Sequence, residues 1–335
     1  MRFSGFGWID MEFSQKMVTL EDRIAFGDAA CERDIYNCFR LILGRYPSQE
    51  EWAGHRALAG QPLAAVTAKY VGSAEYQKVR NSGRKPALAR LPGFELYASP
   101  ADLAVGRHIL DHLEYEPHVS RVFAEHLKPG MNVLDIGANI GYFTFLAAAR
   151  VGPPGRVWAV EPNPRNVAFL SATRAHNQFR HVEIIQAAAS DRWEVLSLST
   201  DCSNGAALEA SGRHPDDFPE PVMALPLDAC LPRSLSIQVV KIDVEGAEGK
   251  ALRGMRDLVE RDRPIIFSEF TPSTLPLVSR ISPAEYLELF TSRGYALAVL
   301  ESSGPRYLNA AALLDHAAAV AADSHLDILA VQRPS

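Results

Sequence analysis

The sequence predicts an α/β fold: a seven-stranded, mostly parallel sheet covered on both faces by helices, preceded by a small α-helical domain. Two observations predict it. From residue 133 onward, short apolar runs alternate with longer segments of helical period, the pattern of strands buried on both faces. Before that, a polar, breaker-rich stretch at Asn81–Pro86 separates the sheet region from a helical N-terminal part. The boundaries read this way are residues 1–85 for the helical module and 93–335 for the sheet domain.

Each element has a local cause. Glu32–Leu43 puts Ile35, Cys38, Phe39, Ile42 and Leu43 on one helical face, with Gly44 as its stop. Ser48 and Glu51 form a capping box that opens a second helix, and Leu63–Val71 and Ala74–Val79 suggest two more. Two helices within 101–128 lead through Lys128-Pro129-Gly130 into the first strand, Val133–Ile136. An Ala-rich helix, Tyr142–Arg150, is stopped by Gly152 and Pro153 and followed by the strand Arg156–Val160. The helix Asn163–Asn177 and the strand Val182–Gln186 come next. Val195–Leu198 and Val222–Leu225 alternate as an antiparallel pair does. The remaining strands are Ile237–Ile242, Pro264–Phe270, Tyr295–Leu300 and Leu326–Val331, with helices Lys250–Glu260 and Pro283–Ser292 between them.

The first strand runs into a turn containing Gly137, Asn139 and Gly141, where missing Cβ atoms let a ligand approach the backbone. Glu161 closes the next strand, and an acid at that point accepts both hydroxyls of a ribose. Strand, turn, helix, strand and acid in register point to a nucleoside cofactor. Asp135, inside the end of the first strand, would repel a pyrophosphate but pair with an ammonium group. S-adenosylmethionine carries a ribose, an adenine, an amino-acid tail and a sulfonium but no phosphate, so the acid-first pattern favours it over NAD.

The segments VLDIGANIGYFTFLAAARVGPPGRVWAVEPNPRN, NQFRHVEIIQAAASD and VVKIDVEGAEGKALRGM together resemble the FkbM methyltransferases, over roughly residues 93 to 300. Glu161-Pro162-Asn163-Pro164 and the run from Lys241 to Glu248 carry the resemblance. It implies a Rossmann-like class I methyltransferase that uses S-adenosyl-L-methionine and transfers a methyl group to a hydroxyl. The acceptor expected is a sugar of a glycan or glycolipid. A hydroxyl of a polyketide or other natural product is the alternative, and a non-catalytic scaffold on the same fold a further one. The N-terminal module resembles a small helical domain of unknown function found in bacterial proteins that act on glycans or at the cell surface. That implies docking to glycan-assembly proteins; a helical cap packed on the catalytic domain is the equal alternative. Thr200–Pro221 departs from the family pattern, and acceptor specificity is expected there.

In open sheets of this type ligands sit beyond the carboxyl ends of the strands. Those ends carry Asp135, Glu161, Asp243 with Glu245, and Glu269. Buried together, such carboxylates need a cation or hydrogen-bonding ligand. Glu161 is assigned to the ribose, with Asn163 beside it, and Asn139 with the amides of Gly137 and Gly141 to the amino-acid tail. Ala188, Ser190 and Asp191 are expected to border the adenine. A hydroxyl is a weak acid, so methyl transfer needs a base; Asp243 and Glu269 are equal candidates, followed by Glu245. Glu116, in a Tyr-Glu-Pro segment that matches the family, is expected to enter the site from above. Glu248 reads as a helix cap. A divalent metal on Asp243, Glu245 and Glu269 is the alternative use of those acids; no histidine accompanies them, and it is not favoured.

Composition sets outer limits. A 47% hydrophobic and 22% charged chain of 335 residues is of ordinary globular make-up. A net charge of −6 argues against nucleic acid as partner. No apolar run approaches the ~18 residues of a membrane span, and no signal-type start is present, so a cytoplasmic location is expected. The four cysteines show no CxxC spacing, which indicates neither zinc nor a disulfide framework.

Overall fold

The computed structural model describes residues 29–43, 45–76, 85–198, 207–208, 220–320 and 325–333. The expected stop at Gly44, most of the expected linker at 81–86, the end of the Ala74–Val79 helix and most of the 200–221 loop lie outside the described residues. The chain divides into two compact units, residues 1–82 and 83–335.

The first unit is helical: α1 (Glu32–Leu41), α2 (Gln49–His55) and α3 (Leu63–Val71), with a 3-10 turn at Arg56–Leu58. Ile35, Phe39, Val66 and Tyr70 form its core. The expected capping box opens α2: Ser48 accepts from the Glu51 amide while the Glu51 carboxylate accepts from the Ser48 amide. Cys38 is buried, whereas Cys31 precedes α1 and is exposed, not on the buried face.

The second unit opens with a hairpin, β1 (Ala87–Leu91) and β2 (Phe94–Ala98), then α4 (Gly106–His112) and α5 (Pro117–His126). The first βαβ stretch is β3 (Asn132–Ile136), α6 (Tyr142–Val151), β4 (Arg156–Val160), α7 (Pro164–His176) and β5 (Val182–Ile185). A small second sheet follows, built from β6 (Ala188–Ala189), β7 (Glu194–Leu198), β8 (Ala207–Leu208) and β9 (Glu220–Leu225) in the order 6-9-7-8. β7 and β9 are antiparallel, as their alternation predicts. The chain continues with α8 (Leu227–Cys230), β10 (Val239–Ile242), α9 (Glu248–Gly254), α10 (Arg256–Asp262) and β11 (Ile265–Phe270). It ends with α11 (Leu275–Val278), α12 (Pro283–Thr291), β12 (Tyr295–Glu301), β13 (Gly304–Leu308), α13 (Ala310–Ala319) and β14 (Leu326–Gln332).

The main sheet has the order 13-12-14-11-10-3-4-5, with β5, β4, β3, β10 and β11 mutually parallel. Strand order reverses between β3 and β10, where a crevice opens at the carboxyl ends. Two apolar layers sandwich the sheet. One face packs Leu134, Ile242 and Phe270 against α9, α10 and α12. The other packs Val133, Val157 and Phe267 against α5, α6 and the hairpin.

Three expectations change. The sheet has eight strands, not seven, because β13 adds antiparallel to β12 at the edge. Pro305 hid it; proline is tolerated there because an edge strand leaves one side of its backbone unpaired. The Lys250–Glu260 helix is two helices, broken at Met255 (φ −126°). Asp228 caps the second by accepting from the amides of Asp257 and Leu258 at 2.8 and 2.9 Å. The sheet unit also begins before residue 93, since Ala89 and Leu91 of β1 are buried in its core. Among the described residues, no helix is long and apolar enough to cross a membrane.

That hairpin yields a prediction. A chain beginning at Lys85 is expected to unfold as one cooperative unit. One beginning at Pro92 lacks β1 and exposes β2, and should lose about 2–4 kcal/mol, equivalent to two buried side chains with their strand pairing. Thermal unfolding of the two chains compares them; equal midpoints would contradict a structural role for β1.

Candidate active site

The site begins with a close approach at the sheet crevice. Gly137 (φ +82°) lies so near the chain leaving β10 that a Cβ there would sit 1.7 Å from the Asp243 carbonyl oxygen. Only glycine meets both the steric and the conformational demand. The turn after β3 is thereby pressed against the segment that carries Asp243 and Glu245.

Glu161 fixes the same turn from the other side. It is 5% exposed, and its carboxylate accepts the amides of Asn139 and Asn163, each at 2.8 Å, and the Asn166 side-chain amide at 3.2 Å. Asn139 is left-handed (φ 51°), a conformation asparagine tolerates better than most residues. Burial raises the Glu161 carboxyl to about 7, with those amide donors pulling the other way.

Lys241 organises the centre. The parallel register of β10 and β3 sets it beside Asp135, and its ammonium lies 2.7 Å from Asp243 and 4.3 Å from the centre of the Phe143 ring. Burial disfavours its charge, but the carboxylates of Asp243, Glu116 and Asp135 outweigh that and hold it protonated. Asp243 responds in kind: burial pushes its carboxyl up, Lys241 pulls it below its ordinary value, and Lys241 wins. Asp135, 1% exposed and bonded by the Thr144 hydroxyl, is raised to about 6, first by burial.

The outer wall is acidic. Glu269 and Asp327 stand directly opposite one another in the antiparallel register of β11 and β14. His325 Nδ1 lies 3.1 Å from Glu269, and His118 Nε2 2.9 Å from Asp327. Burial, then the charges of Asp243 and Glu245, push the Glu269 carboxyl far above its usual range. Glu116, immediately before Pro117, is left-handed (φ 43°), as is Glu245 (φ 52°). Such backbone costs of order 1–3 kcal/mol and persists where the surroundings impose it.

Lys241, Phe143, His325, Asp327 and the acids that surround them line one cavity of about 300 Å³, within the range of small-molecule sites. Asp135, Gly137, Asn139, Glu161 and Ala188 line one end. Glu116, Asp243, Glu245 and Glu269 line the other. The structure departs from the sequence reading at four cofactor residues, none of which lines the cavity. Gly141 instead packs under the turn, where a Cβ would lie 2.5 Å from the Phe145 ring. Asn163 caps α7 through the Arg165 amide. Ser190 donates to Glu194, and Asp191 pairs with Arg253 at 2.9 Å. The amides of Gly137 and Gly141 are already spent on the carbonyls of Val160 and Ala138. Missed in the sequence were His325 and Asp327. Their spacing of two at the start of the last strand was the available signal.

Oxygens of Asp243, Glu245 and Glu269 come within 4.8 Å of one another, a spacing that suits a cation. The Lys241 ammonium already sits against Asp243, so a divalent ion there would be placed beside a like charge. Glu248, expected as a helix cap, opens α9 but ties the turn before it, its carboxylate accepting from the amides of Gly246 and Val244, and α9 has no side-chain cap bond.

Residues 135–297 match the family model of the methyltransferase FkbM domain. That segment is an FkbM methyltransferase domain. Its first two curated relatives are similar over short stretches only. Protein-L-isoaspartate O-methyltransferase 1 of Arabidopsis thaliana is 48% identical over 48 residues, 14% of this chain and 21% of the relative. Arsenite methyltransferase of Halobacterium salinarum is 39% identical over 57 residues, 17% of this chain and 15% of the relative. The chain thus spans about a fifth or less of the length of these two. The crystal structure of a methyltransferase FkbM from Methylobacillus flagellatus is 13% identical, with a TM-score of 0.40, covering 89% of this chain and 59% of that one. Glu116, His325 and Asp327 lie outside the matched segment.

The raised carboxyls set a pH dependence. Asp135 and Glu161 bind protons more tightly folded (about 6 and 7) than unfolded (3.8 and 4.5), so folding takes up protons between those values. Stability should therefore fall as pH rises from about 4.5 to 7, by on the order of 1 kcal/mol per unit. Thermal unfolding of the ligand-free protein should give a higher midpoint at pH 5.5 than at pH 7.5, and Asp135→Asn should flatten the difference. A midpoint that climbs across that window contradicts the burial argument.

Proposed function

We propose that the protein is an S-adenosylmethionine-dependent O-methyltransferase whose acceptor is a hydroxyl of a sugar in a glycan or glycolipid. One observation carries the reading: Glu161 and the Asp135–Gly137 turn line the same cavity as the acids that follow β10 and β11. The FkbM domain match supports the same cofactor. When bound, S-adenosylmethionine supplies an electrophilic methyl group on a sulfur that leaves without protonation.

The chain's own residues supply alignment and a proton acceptor. Glu161, already held by three donors, presents its remaining lone pairs to a ribose; charge-assisted bonds of this kind are the strong ones. Asp135 faces an ammonium, and the alanine-lined edge at Ala187–Ala189 suits a flat base. Asp243 is the base. Lys241 keeps it ionised, whereas crowding favours a protonated Glu269, which can donate to the acceptor and not accept from it. The helical module is proposed to dock the enzyme to glycan-assembly proteins, raising local acceptor concentration.

Two variants test this reading. Glu161→Ala removes the bond to ribose, and affinity for S-adenosylhomocysteine should fall at least about tenfold by calorimetry. Asp243→Asn should abolish transfer of labelled methyl to a panel of glycans while leaving S-adenosylhomocysteine affinity within about threefold. Undiminished affinity in the first variant would refute the ribose assignment. Normal turnover in the second would move the base to Glu269 or Glu116.

A further inference from the structure

Resting on that methyl-transfer reading, we infer that the acceptor carries a positively charged amine close to the atom that is methylated, and carries no phosphate or carboxylate there. The charge of the acceptor end is one-sided. Glu116, Asp243, Glu245, Glu269 and Asp327 line it; among the described residues the basic side chains of the cavity are Lys241, His325 and Lys250, the last lying 3.8 Å from Glu194, and His118 stands against Asp327 from outside the lining. Lys241 is committed to Asp243 at 2.7 Å. S-adenosylmethionine brings one net positive charge, from its sulfonium, since its ammonium and carboxylate cancel. The acids still outnumber the cations when the cofactor is in place. Carboxylates brought together in a partly buried wall require a compensating cation.

The arrangement is costly in ways that a ligand would repay. Glu269 and Asp327 face each other across β11 and β14, a placement that destabilises like charges in a sheet, and burial keeps Glu269 protonated until a cation arrives. Glu116 is held left-handed before a proline, and its Oε2 is buried with no hydrogen-bond partner. Glu245 also sits on a left-handed residue. Each is a cost at a position whose side chain reaches the same cavity. An ammonium, with three donors, can bond several of these oxygens at once. A divalent ion meets the obstacle already described, the Lys241 ammonium beside Asp243. A phosphate or carboxylate on the acceptor would meet the ionised Asp243 and would gain nothing from the neighbouring acids unless they stayed protonated.

Calorimetry on the full chain, saturated with S-adenosylhomocysteine at low salt, tests this with three hexoses as probes: glucosamine, glucose and glucose 6-phosphate. Glucosamine is expected to bind at least about tenfold tighter than glucose, and glucose 6-phosphate weakest of all. Glu116→Gln and Glu245→Gln, first shown to retain S-adenosylhomocysteine affinity and the parent melting temperature, should each shrink the glucosamine preference severalfold. Raised salt should shrink it as well. Equal affinities for glucosamine and glucose, or a preference for the phosphate, overturn the inference while leaving the cofactor reading intact. So does a preference that magnesium chloride abolishes while tightening glucose, because the acids would then serve a metal. Failure of S-adenosylhomocysteine to bind removes the methyl-transfer reading, and this inference with it.

Discussion

The Lys241 ammonium, buried against Asp243 and beside Asp135, is the interaction on which the rest of the site depends. A lone buried ammonium would discharge, and lone buried carboxylates would protonate; together they remain ionic in a nearly dry setting. The Phe143 ring supplies a further face for the ammonium at 4.3 Å without adding a titrating group. The pair therefore delivers one dependable carboxylate to the floor of the cavity. The neighbouring acids, lacking such a partner, are pushed toward their neutral forms. A single placed cation thus sorts chemically similar residues into a base and hydrogen-bond donors.

The fold places that pair where it does by two backbone constraints. Reversal of strand order between β3 and β10 opens the crevice, and Gly137 lets the turn after β3 close onto the segment after β10. Glu161 then ties that turn to the end of β4 through the Asn139 amide. The acid read as a ribose ligand is thus also a structural tie. Its orientation is set before any ligand arrives, which lowers the ordering cost of binding.

The sheet was legible because its strands are apolar on both faces, so short hydrophobic runs bounded by breakers mark them plainly. The acids at the strand ends were legible because charge is conspicuous beside such runs. β13 was not, since an exposed edge strand containing Pro305 lacks the apolar signal, and the break at Met255 depends on a cap from distant Asp228. Gly141 is a case of a correct motif with a different role: its freedom serves packing under Phe145 and Leu170, not a ligand. Ser190 and Asp191 follow β6, and nothing local shows that their partners would be Glu194 and Arg253. His325 and Asp327 enter the site only through the antiparallel pairing of β14 with β11. That pairing is a long-range fact, which no local pattern encodes.

The central claim is that one cavity holds a ribose at Glu161 and aims the transferable group at Asp243. A crystal structure with S-adenosylhomocysteine tests it most directly. The account predicts both ribose hydroxyls on the Glu161 carboxylate, the amino-acid tail at the Asp135–Gly137 turn, and the sulfur facing the wall of Asp243 and Glu245. Density for the nucleoside elsewhere, or in this cavity with its ribose away from Glu161, would contradict it.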